Sequence, residues 1–184
     1  GADCGEGWGD VTHDDRYAEN VIMPGLIEAH AHVSAGGAWR YTYCGHYQRT
    51  DPDGRDWPGI TDNDALIARL KEIAAKTPEG DSVVAWGVDP NFIAGARRDK
   101  THLDAVSTAH PVAVLHSNGH LMTANSMALA QAGLTRDTNI DGVQRGADGE
   151  PNGELHEFAA MGPVREVTNL SYDALGDADG VMAY

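Results

Sequence analysis

The stretch VIMPGLIEAHAHV, residues 21–33, is the most informative part of the sequence for the fold. It follows a polar, irregular lead-in over residues 1–20 that is rich in Gly and Asp. An apolar run of this length, rich in β-branched residues and interrupted by Pro and Gly, is typical of a strand at the centre of a sheet. The sequence therefore predicts a short buried strand that ends near His30 and His32.

His30 and His32 give the strongest chemical signal in the sequence. Side chains two positions apart in a strand point to the same face, so both imidazoles would project together from its carboxyl end. In α/β folds that end is where ligands bind. Two neutral imidazoles are half of a tetrahedral zinc site or part of a binuclear one, so we expect one or two divalent ions, with zinc favoured. Glu28 would share this face, either orienting an imidazole or lying at the strand rim.

Length and composition set further bounds. The chain has 184 residues, of which 41% are hydrophobic, and this suits one compact domain. A complete (β/α)₈ barrel needs about 250 residues, so the chain is too short to form one. The sequence has no apolar run near the roughly 20 residues of a membrane-spanning helix. With only Cys4 and Cys44 there is no disulfide framework, and we expect a reducing, cytoplasmic location.

The charge balance is strongly acidic. Asp and Glu number 28 against 13 Lys and Arg, for a formal net charge of −15. Phosphate contacts need a basic patch, so we expect neither nucleic acid nor a membrane surface as a partner. The local cluster Arg97, Arg98 and Lys100 is interpreted as a solvated loop. These expectations leave a small molecule as the substrate.

Periodicity predicts an α/β fold with mostly parallel strands. A helix is expected over residues 61–76, with Thr61-x-x-Asp64 capping its start. The other predicted elements are strands at 82–88 and 111–117, a helix at 123–132 ended by Gly133, turns or a hairpin at 139–153, a largely helical stretch at 154–168 and a helix near Tyr172. A long loop or insertion at about 34–60 holds aromatic residues that either cover a substrate or form a satellite core: Tyr41, Tyr43, Tyr47 and Trp57.

Three stretches together resemble a known family. VIMPGLIEAHAHV resembles the first barrel strand of the amidohydrolase superfamily, and two later stretches resemble amidohydrolase family 3. These are LDAVSTAHPVAVLHSNGHLMTANSMALAQAGL (103–134) and GEPNGELHEFA (149–159). The chain is similar in these stretches to the YtcJ-like and N-substituted formamide deformylase group. It implies that residues 21–184 are the N-terminal portion of a metal-dependent hydrolase barrel, a (β/α)₈ TIM-type barrel left incomplete in this chain.

The resemblance also assigns roles to single residues. It implies metal ligands at His30, His32 and Glu157, and a catalytic and substrate-pocket role for His120. An imidazole at that position could polarise a carbonyl or hold an oxyanion. Alternatives stay open, because Glu154 competes with Glu157 as the ligand, and Glu157 could instead be a solvated helix residue. His120 could be a buried imidazole with a backbone hydrogen bond.

Other matches are less specific. The segment from Trp86 to Asp89 resembles a family segment that follows a strand, which implies substrate contacts for these two residues. A core position is equally compatible with Trp86. Asn125 and Ser126 match an N-S pair that we interpret as structural. None of the three lysines follows a predicted strand, so we do not expect the carboxylated lysine that bridges two metals in many relatives.

The resemblance implies hydrolysis of a non-peptide carbon–nitrogen bond by a metal-activated water. The general base and remaining ligands of the family would lie on later strands, so we expect a fragment of a longer enzyme. One alternative is a non-catalytic chain of the same ancestry that binds a metal or a partner. Another is a deaminase or isomerase on the same scaffold. Unpaired strand edges in an incomplete barrel predict association into a homo-oligomer.

Overall fold

The computed structural model describes residues 7–12, 14–27 and 33–171. The chain divides into two compact units, Gly1–His32 and Val33–Tyr184. The described residues of the first unit contain turns and irregular backbone, with neither helix nor strand.

The prediction of a buried strand is wrong for residues 21–27, which are irregular and exposed. Val21, Leu26 and Ile27 are each at least 90% exposed. A strand needs a hydrogen-bonding neighbour, and the described part of the first unit offers none. The predicted ligands His30 and His32, together with Glu28, lie outside the described residues.

The second unit opens with a 3₁₀ helix, Val33–Arg40, and continues with strands that are interspersed with α-helices. Its strands are β1 (Thr42–Tyr43), β2 (Arg49–Thr50), β3 (Asp56–Trp57), β4 (Val83–Val88), β5 (Val112–His116), β6 (Leu121–Ala124), β7 (Val143–Arg145) and β8 (Pro151–His156). Its α-helices are α1 (Asn63–Ala74), α2 (Lys100–Asp104), α3 (Ser126–Gln131) and α4 (Glu157–Thr168).

Six strands form one open sheet in the order β1-β4-β5-β6-β8-β7. Strands β1, β4 and β5 are parallel, and the pairs from β5 to β7 are antiparallel. Strands β2 and β3 form a separate hairpin. The α/β class with a parallel sheet is confirmed, although three of the five strand pairs in the sheet are antiparallel. The sheet does not close into a barrel within residues 33–171.

Helices cover both faces of the sheet. On one face, α3 and α4 pack on β5, β6 and β8 through a core that includes Met122, Leu155 and Met161. On the other face, α1 and α2 pack on β4 and β5 through a core that includes Leu66, Leu103 and Val114. Two apolar cores therefore hold the sheet rigidly, so that its edge can carry a site.

Several element boundaries differ from the sequence prediction. Helix α1 is capped by Asp62, whose Oδ1 accepts from the Ala65 N–H at 2.8 Å, and not by Thr61. The helix predicted from residue 123 begins only at Ser126, because residues 121–124 form β6. The predicted hairpin at 139–153 is present as β7 and β8, but β8 runs on to His156. The helix expected near Tyr172 lies outside the described residues.

No helix in the described part of the chain is long and apolar enough to cross a membrane.

Candidate active site

Four strands end at the same edge of the sheet. Strand β8 is antiparallel to β6, which is antiparallel to β5, so β8 runs in the direction of β1, β4 and β5. Asp89 follows β4, Ser117 follows β5 and Glu157 follows β8, while His120 lies just before β6. The carboxyl edge of parallel strands is the usual ligand-binding edge of α/β proteins.

His120 and Glu157 meet at this edge. The His120 Nδ1 lies 2.9 Å from the Glu157 Oε2, and the Glu157 N–H donates to the His120 carbonyl at 2.8 Å. The side chains are 53% and 66% exposed, so His120 is not the buried imidazole that the sequence left open. The resemblance assigned roles to both residues, and the structure brings them into contact although they lie 37 positions apart in the sequence.

Glu157 has an unusual backbone. Its φ is +63°, in the left-handed region that residues with a side chain rarely adopt. It is the first residue of α4, directly after β8, so the chain turns sharply there from strand to helix. Strained backbone at the end of a strand is typical of functional sites, where surrounding structure holds a side chain in place.

Glu154, the competing ligand candidate, is already engaged. Its side chain is only 5% exposed, and Arg97 donates to both carboxylate oxygens, from Nε to Oε2 at 2.5 Å and from Nη2 to Oε1. His156 Nε2 lies 2.5 Å from the same Oε1. Burial by itself raises the pKa of Glu154, but the hydrogen bonds from Arg97 and His156 outweigh it and keep the pKa below its usual value. Glu154 is therefore an ionised, fully partnered carboxylate, whereas Glu157 is accessible.

The basic cluster is only in part the solvated loop that the sequence predicted. Arg98 is only 5% exposed and donates from Nη1 to the Asn63 Oδ1 at 3.0 Å. Arg97 stays exposed at its guanidinium but is held by Glu154. Charge runs are usually solvated, and only the three-dimensional structure shows that Arg98 bonds Asn63 and Arg97 bonds Glu154. The spacing of Glu154 and His156, two apart in a strand, was the sequence signal that could have indicated their shared face.

His116 lies inside β5 on the face that also carries Glu154. It is 6% exposed, and its Nε2 lies 3.0 Å from the Thr123 Oγ1. Burial, with Arg98 close by, lowers the pKa of His116 to about 4. The ring is therefore neutral at physiological pH and is part of the core.

Asp89 and Trp86 lie on or directly after β4. The Asp89 carboxylate accepts from the Asn91 N–H at 2.9 Å and from the Ser117 hydroxyl at 3.2 Å, so it ties together the ends of β4 and β5. Trp86 is half-buried and packs edge-on against Trp39 and Tyr43, with ring centroids 5.2 and 5.1 Å away. Of the loop aromatics, Tyr43 thus belongs to a buried cluster, whereas Tyr47 is 61% exposed.

The N-S pair has structural contacts. The Asn125 Oδ1 accepts from the Ala128 N–H at 2.9 Å, which caps α3, and from the Val112 N–H at 3.0 Å. Ser126 donates its N–H and its hydroxyl to the Asp104 carboxylate. These contacts fix the start of α3 against β5 and α2.

The donor types at the edge suit a divalent ion, since imidazole and carboxylate are the ligands zinc takes besides thiolate. The Glu157 Oε1 has no hydrogen-bond partner among the described residues, so it is free to bind an ion. Within those same residues no three His, Cys, Asp or Glu side chains are grouped closely enough to hold a metal.

Comparison with known proteins identifies the class. The chain matches the model of the amidohydrolase family over residues 18–179, and it belongs to that family. It is 28% identical over 173 residues to Protein LONG AFTER FAR-RED 3 of Arabidopsis thaliana, and 27% identical over 162 residues to the putative amidohydrolase YtcJ of Bacillus subtilis. These matches cover 92% and 86% of the chain but 28% of each relative. The chain therefore spans less than a third of the curated relatives.

Solved structures share the fold. An uncharacterised metal-dependent hydrolase from Pyrococcus horikoshii matches 77% of the chain and 23% of its own length, with a TM-score of 0.50 and 18% identity. A second, from Pyrococcus furiosus, matches 84% of the chain and 28% of its own length, with a TM-score of 0.50 and 17% identity. The described unit thus has the fold of part of a metal-dependent hydrolase.

Proposed function

We propose that this chain is part of a metal-dependent hydrolase that cleaves the carbon–nitrogen bond of a small, non-peptide amide. The observation that carries the proposal is the His120–Glu157 contact at the carboxyl edge of the sheet. The family match and the metal-dependent hydrolase fold of the solved relatives support it. We expect the protein to be cytoplasmic and to associate into a homo-oligomer. We do not expect nucleic acid or a membrane as a partner.

The proposed metal ligands are His30, His32 and Glu157. When bound, a divalent ion, for which zinc is our first choice, activates water as a nucleophile and polarises a carbonyl oxygen. Glu157 supports this assignment through its exposure, its free Oε1 and its strained backbone. Glu154 does not compete, because Arg97 and His156 occupy its oxygens.

His120 has two proposed tasks. Its Nδ1 holds the Glu157 carboxylate in one orientation, as outer partners of metal ligands commonly do. Its Nε2 is left to contact the substrate carbonyl, where an imidazole stabilises developing negative charge. Trp86 and Asp89 are proposed to contact the rest of the substrate, since Asp89 lies directly after β4 at the same edge.

The first experiment measures the metal content of the purified chain by elemental mass spectrometry. We expect about one divalent ion per chain, lost in the H30A/H32A double variant and in E157Q. E166Q is the matched control, because Glu166 is an exposed glutamate on the same helix and should leave metal content unchanged. Equal metal content in wild type, H30A/H32A, E157Q and E166Q would show that the substituted residues do not bind the metal.

The second experiment separates the reactions. A panel of N-substituted formamides and other small amides is assayed for amine release, beside amino-heterocycles assayed for ammonia release. Amine release supports the amide hydrolase, and ammonia release supports a deaminase. Metal binding without turnover of either set would favour the non-catalytic alternative.

A further inference from the structure

We propose that His46, Tyr47 and Phe92 bind an aromatic group of the substrate, at some distance from the amide that reacts. The inference rests on the function proposed above and names a class of substrate for it. The three rings form one group, which we call the edge cluster. Ring centroids lie 5.0 Å apart for His46 and Tyr47, 5.2 Å for His46 and Phe92, and 5.8 Å for Tyr47 and Phe92.

Within residues 33–171, the exposed large apolar side chains all lie at one edge of the sheet. They are Tyr47, Phe92 and Phe158, which are 61%, 48% and 53% exposed. Tyr47 follows the carboxyl end of β1, Phe92 follows that of β4 and Phe158 follows that of β8. This is the edge at which α/β proteins bind their ligands. Exposed aromatic rings that are confined to a ligand-binding edge indicate contact with a ligand, since such sites are lined mainly by apolar and aromatic side chains.

The exposed rings of the edge cluster lie on a backbone that is held in place. The Tyr43 hydroxyl donates to the Tyr47 carbonyl at 2.9 Å, and the Phe92 N–H donates to the Asp89 carbonyl at 3.1 Å. A surface that is already ordered loses less conformational entropy when a ligand binds. The edge cluster is therefore pre-organised to stack against a further aromatic ring.

The edge cluster contributes little to the stability of the fold. The His46 Nδ1 is buried and has no hydrogen-bond partner in the described part of the chain, which is unfavourable. Tyr47 and Phe92 remain about half exposed or more, so they gain only part of the free energy of burial. Proteins depart from the most stable local arrangement chiefly at functional sites. Ligand binding accounts for this arrangement better than folding does.

The sheet order sets the distance from the edge cluster to the proposed reaction site. Phe92 follows β4 and His120 precedes β6, with β5 between them. Two strand spacings separate β4 from β6 by about 10 Å. Asp89, which the proposed function places against the substrate, bonds the Ser117 hydroxyl at 3.2 Å along this line. The expected substrate is therefore an amide whose aromatic ring lies about 10 Å from its carbonyl group, a separation that a chain of about four carbon atoms spans.

Saturation-transfer NMR with two amides tests the assignment on the purified chain. N-(4-phenylbutyl)formamide carries the ring, and N-butylformamide has the same chain without it. We expect the wild-type Kd to be at least tenfold lower for the phenylbutyl amide. F92L and Y47L retain an apolar side chain but lose the ring, so each should reduce this ratio about fivefold and leave the Kd of N-butylformamide unchanged.

F158L is the matched control, because Phe158 is a similarly exposed phenylalanine at the same edge. Its ring centroid lies 5.7 Å from that of His120, where the amide is proposed to bind, so F158L should leave the ratio of the two Kd values unchanged. F92Y retains an aromatic ring and should also retain the ratio. Circular dichroism of each variant checks that the fold is unchanged.

Three results would overturn the edge cluster as a binding site. The first is that the wild-type chain binds neither amide, or binds both equally. The second is that F92L and Y47L show the wild-type ratio. The third is that Y47L/F92L keeps the ratio but converts an oligomer into a monomer in light scattering, because the cluster would then be an interface between copies of the chain.

Amine release separates this inference from the proposed function. If the chain hydrolyses N-butylformamide but shows no preference for the aromatic ring, the edge cluster fails as a binding site and the proposed function stands. If the ring preference is present and is lost in F92L and Y47L, but neither amide is hydrolysed, the aromatic site stands and the proposed reaction fails.

Discussion

His120 and Glu157 are joined twice, once between side chains at 2.9 Å and once between the Glu157 N–H and the His120 carbonyl at 2.8 Å. The backbone bond fixes the start of α4 against the turn that precedes β6. The side-chain bond then orients a carboxylate whose main chain is already held. The geometry of Glu157 therefore depends on the fold around it, and this dependence can be tested.

Glu157 should be a position where glycine is better tolerated than alanine. Its φ of +63° costs about 1 kcal/mol for a residue with a Cβ, and glycine avoids that cost. We expect E157G to exceed E157A in free energy of unfolding by about 1 kcal/mol, measured in urea. The control pair is wild type and A159G on the same helix, where glycine should cost about 1 kcal/mol. A lower stability of E157G than E157A would contradict the strained backbone.

Removal of the His120 side chain should affect metal binding more than stability. The pair is more than half exposed, so its contribution to folding is below about 1 kcal/mol. H120A should lower metal affinity about tenfold, because Glu157 loses its orienting partner. H120N can still donate from the position of Nδ1, so it should retain metal affinity and lose turnover. Isothermal titration with zinc measures the metal affinity, and unfolding in urea measures the stability. Equal zinc affinity in H120A and wild type would show that His120 does not orient Glu157.

The sequence predicted the elements whose signal is local. The valine-rich runs became β4 and β5 because apolar strands buried on both faces leave a continuous pattern. Helix α1 followed from its apolar spacing, and the turn-rich stretch became the β7–β8 hairpin. In each case neighbouring residues carry the information that decides the element.

The sequence did not predict the features that depend on contacts between residues far apart in the chain. Residues 121–124 suit a helix, yet pairing with β5 and β8 makes them β6. The engagement of Glu154 could not be predicted from spacing, because it depends on Arg97, which lies 57 positions earlier. Arg98 likewise donates to Asn63, which lies 35 positions earlier. His30 and His32 lie outside the described residues, so their role as ligands stays a prediction.

Gly153 should not tolerate a side chain. A Cβ there would lie 2.6 Å from the Ala124 carbonyl oxygen and 2.6 Å from the Lys100 nitrogen, and φ is +101°. Because both neighbours are backbone atoms, G153A should lower the free energy of unfolding by about 3 kcal/mol or more. G149A is the matched control, with φ +81° and its nearest contact at 3.8 Å, and should cost about 1 kcal/mol. Equal costs would show that β8 can shift away from its neighbours.

The buried ring of His116 should make stability fall with acidification between pH 6.5 and 4. Burial and Arg98 lower its pKa from 6.5 to about 4 in the folded state, while Glu154 and Asp89 partly oppose the shift. Below pH 6.5 the unfolded chain takes up a proton that the folded chain does not, so stability is complete above pH 6.5 and is lost toward pH 4. At pH 5 the loss from this one group is about 2 kcal/mol.

Urea unfolding of wild type and H116Q at pH 8, 6.5 and 5 measures this dependence. H116Q retains a side chain that can reach Thr123 but does not titrate, so the difference in stability between pH 8 and pH 5 should shrink by about 2 kcal/mol relative to wild type. If H116Q and wild type lose stability in parallel, then the His116 ring takes up its proton in the folded chain as readily as in the unfolded one. The core around β5 would then be open to water.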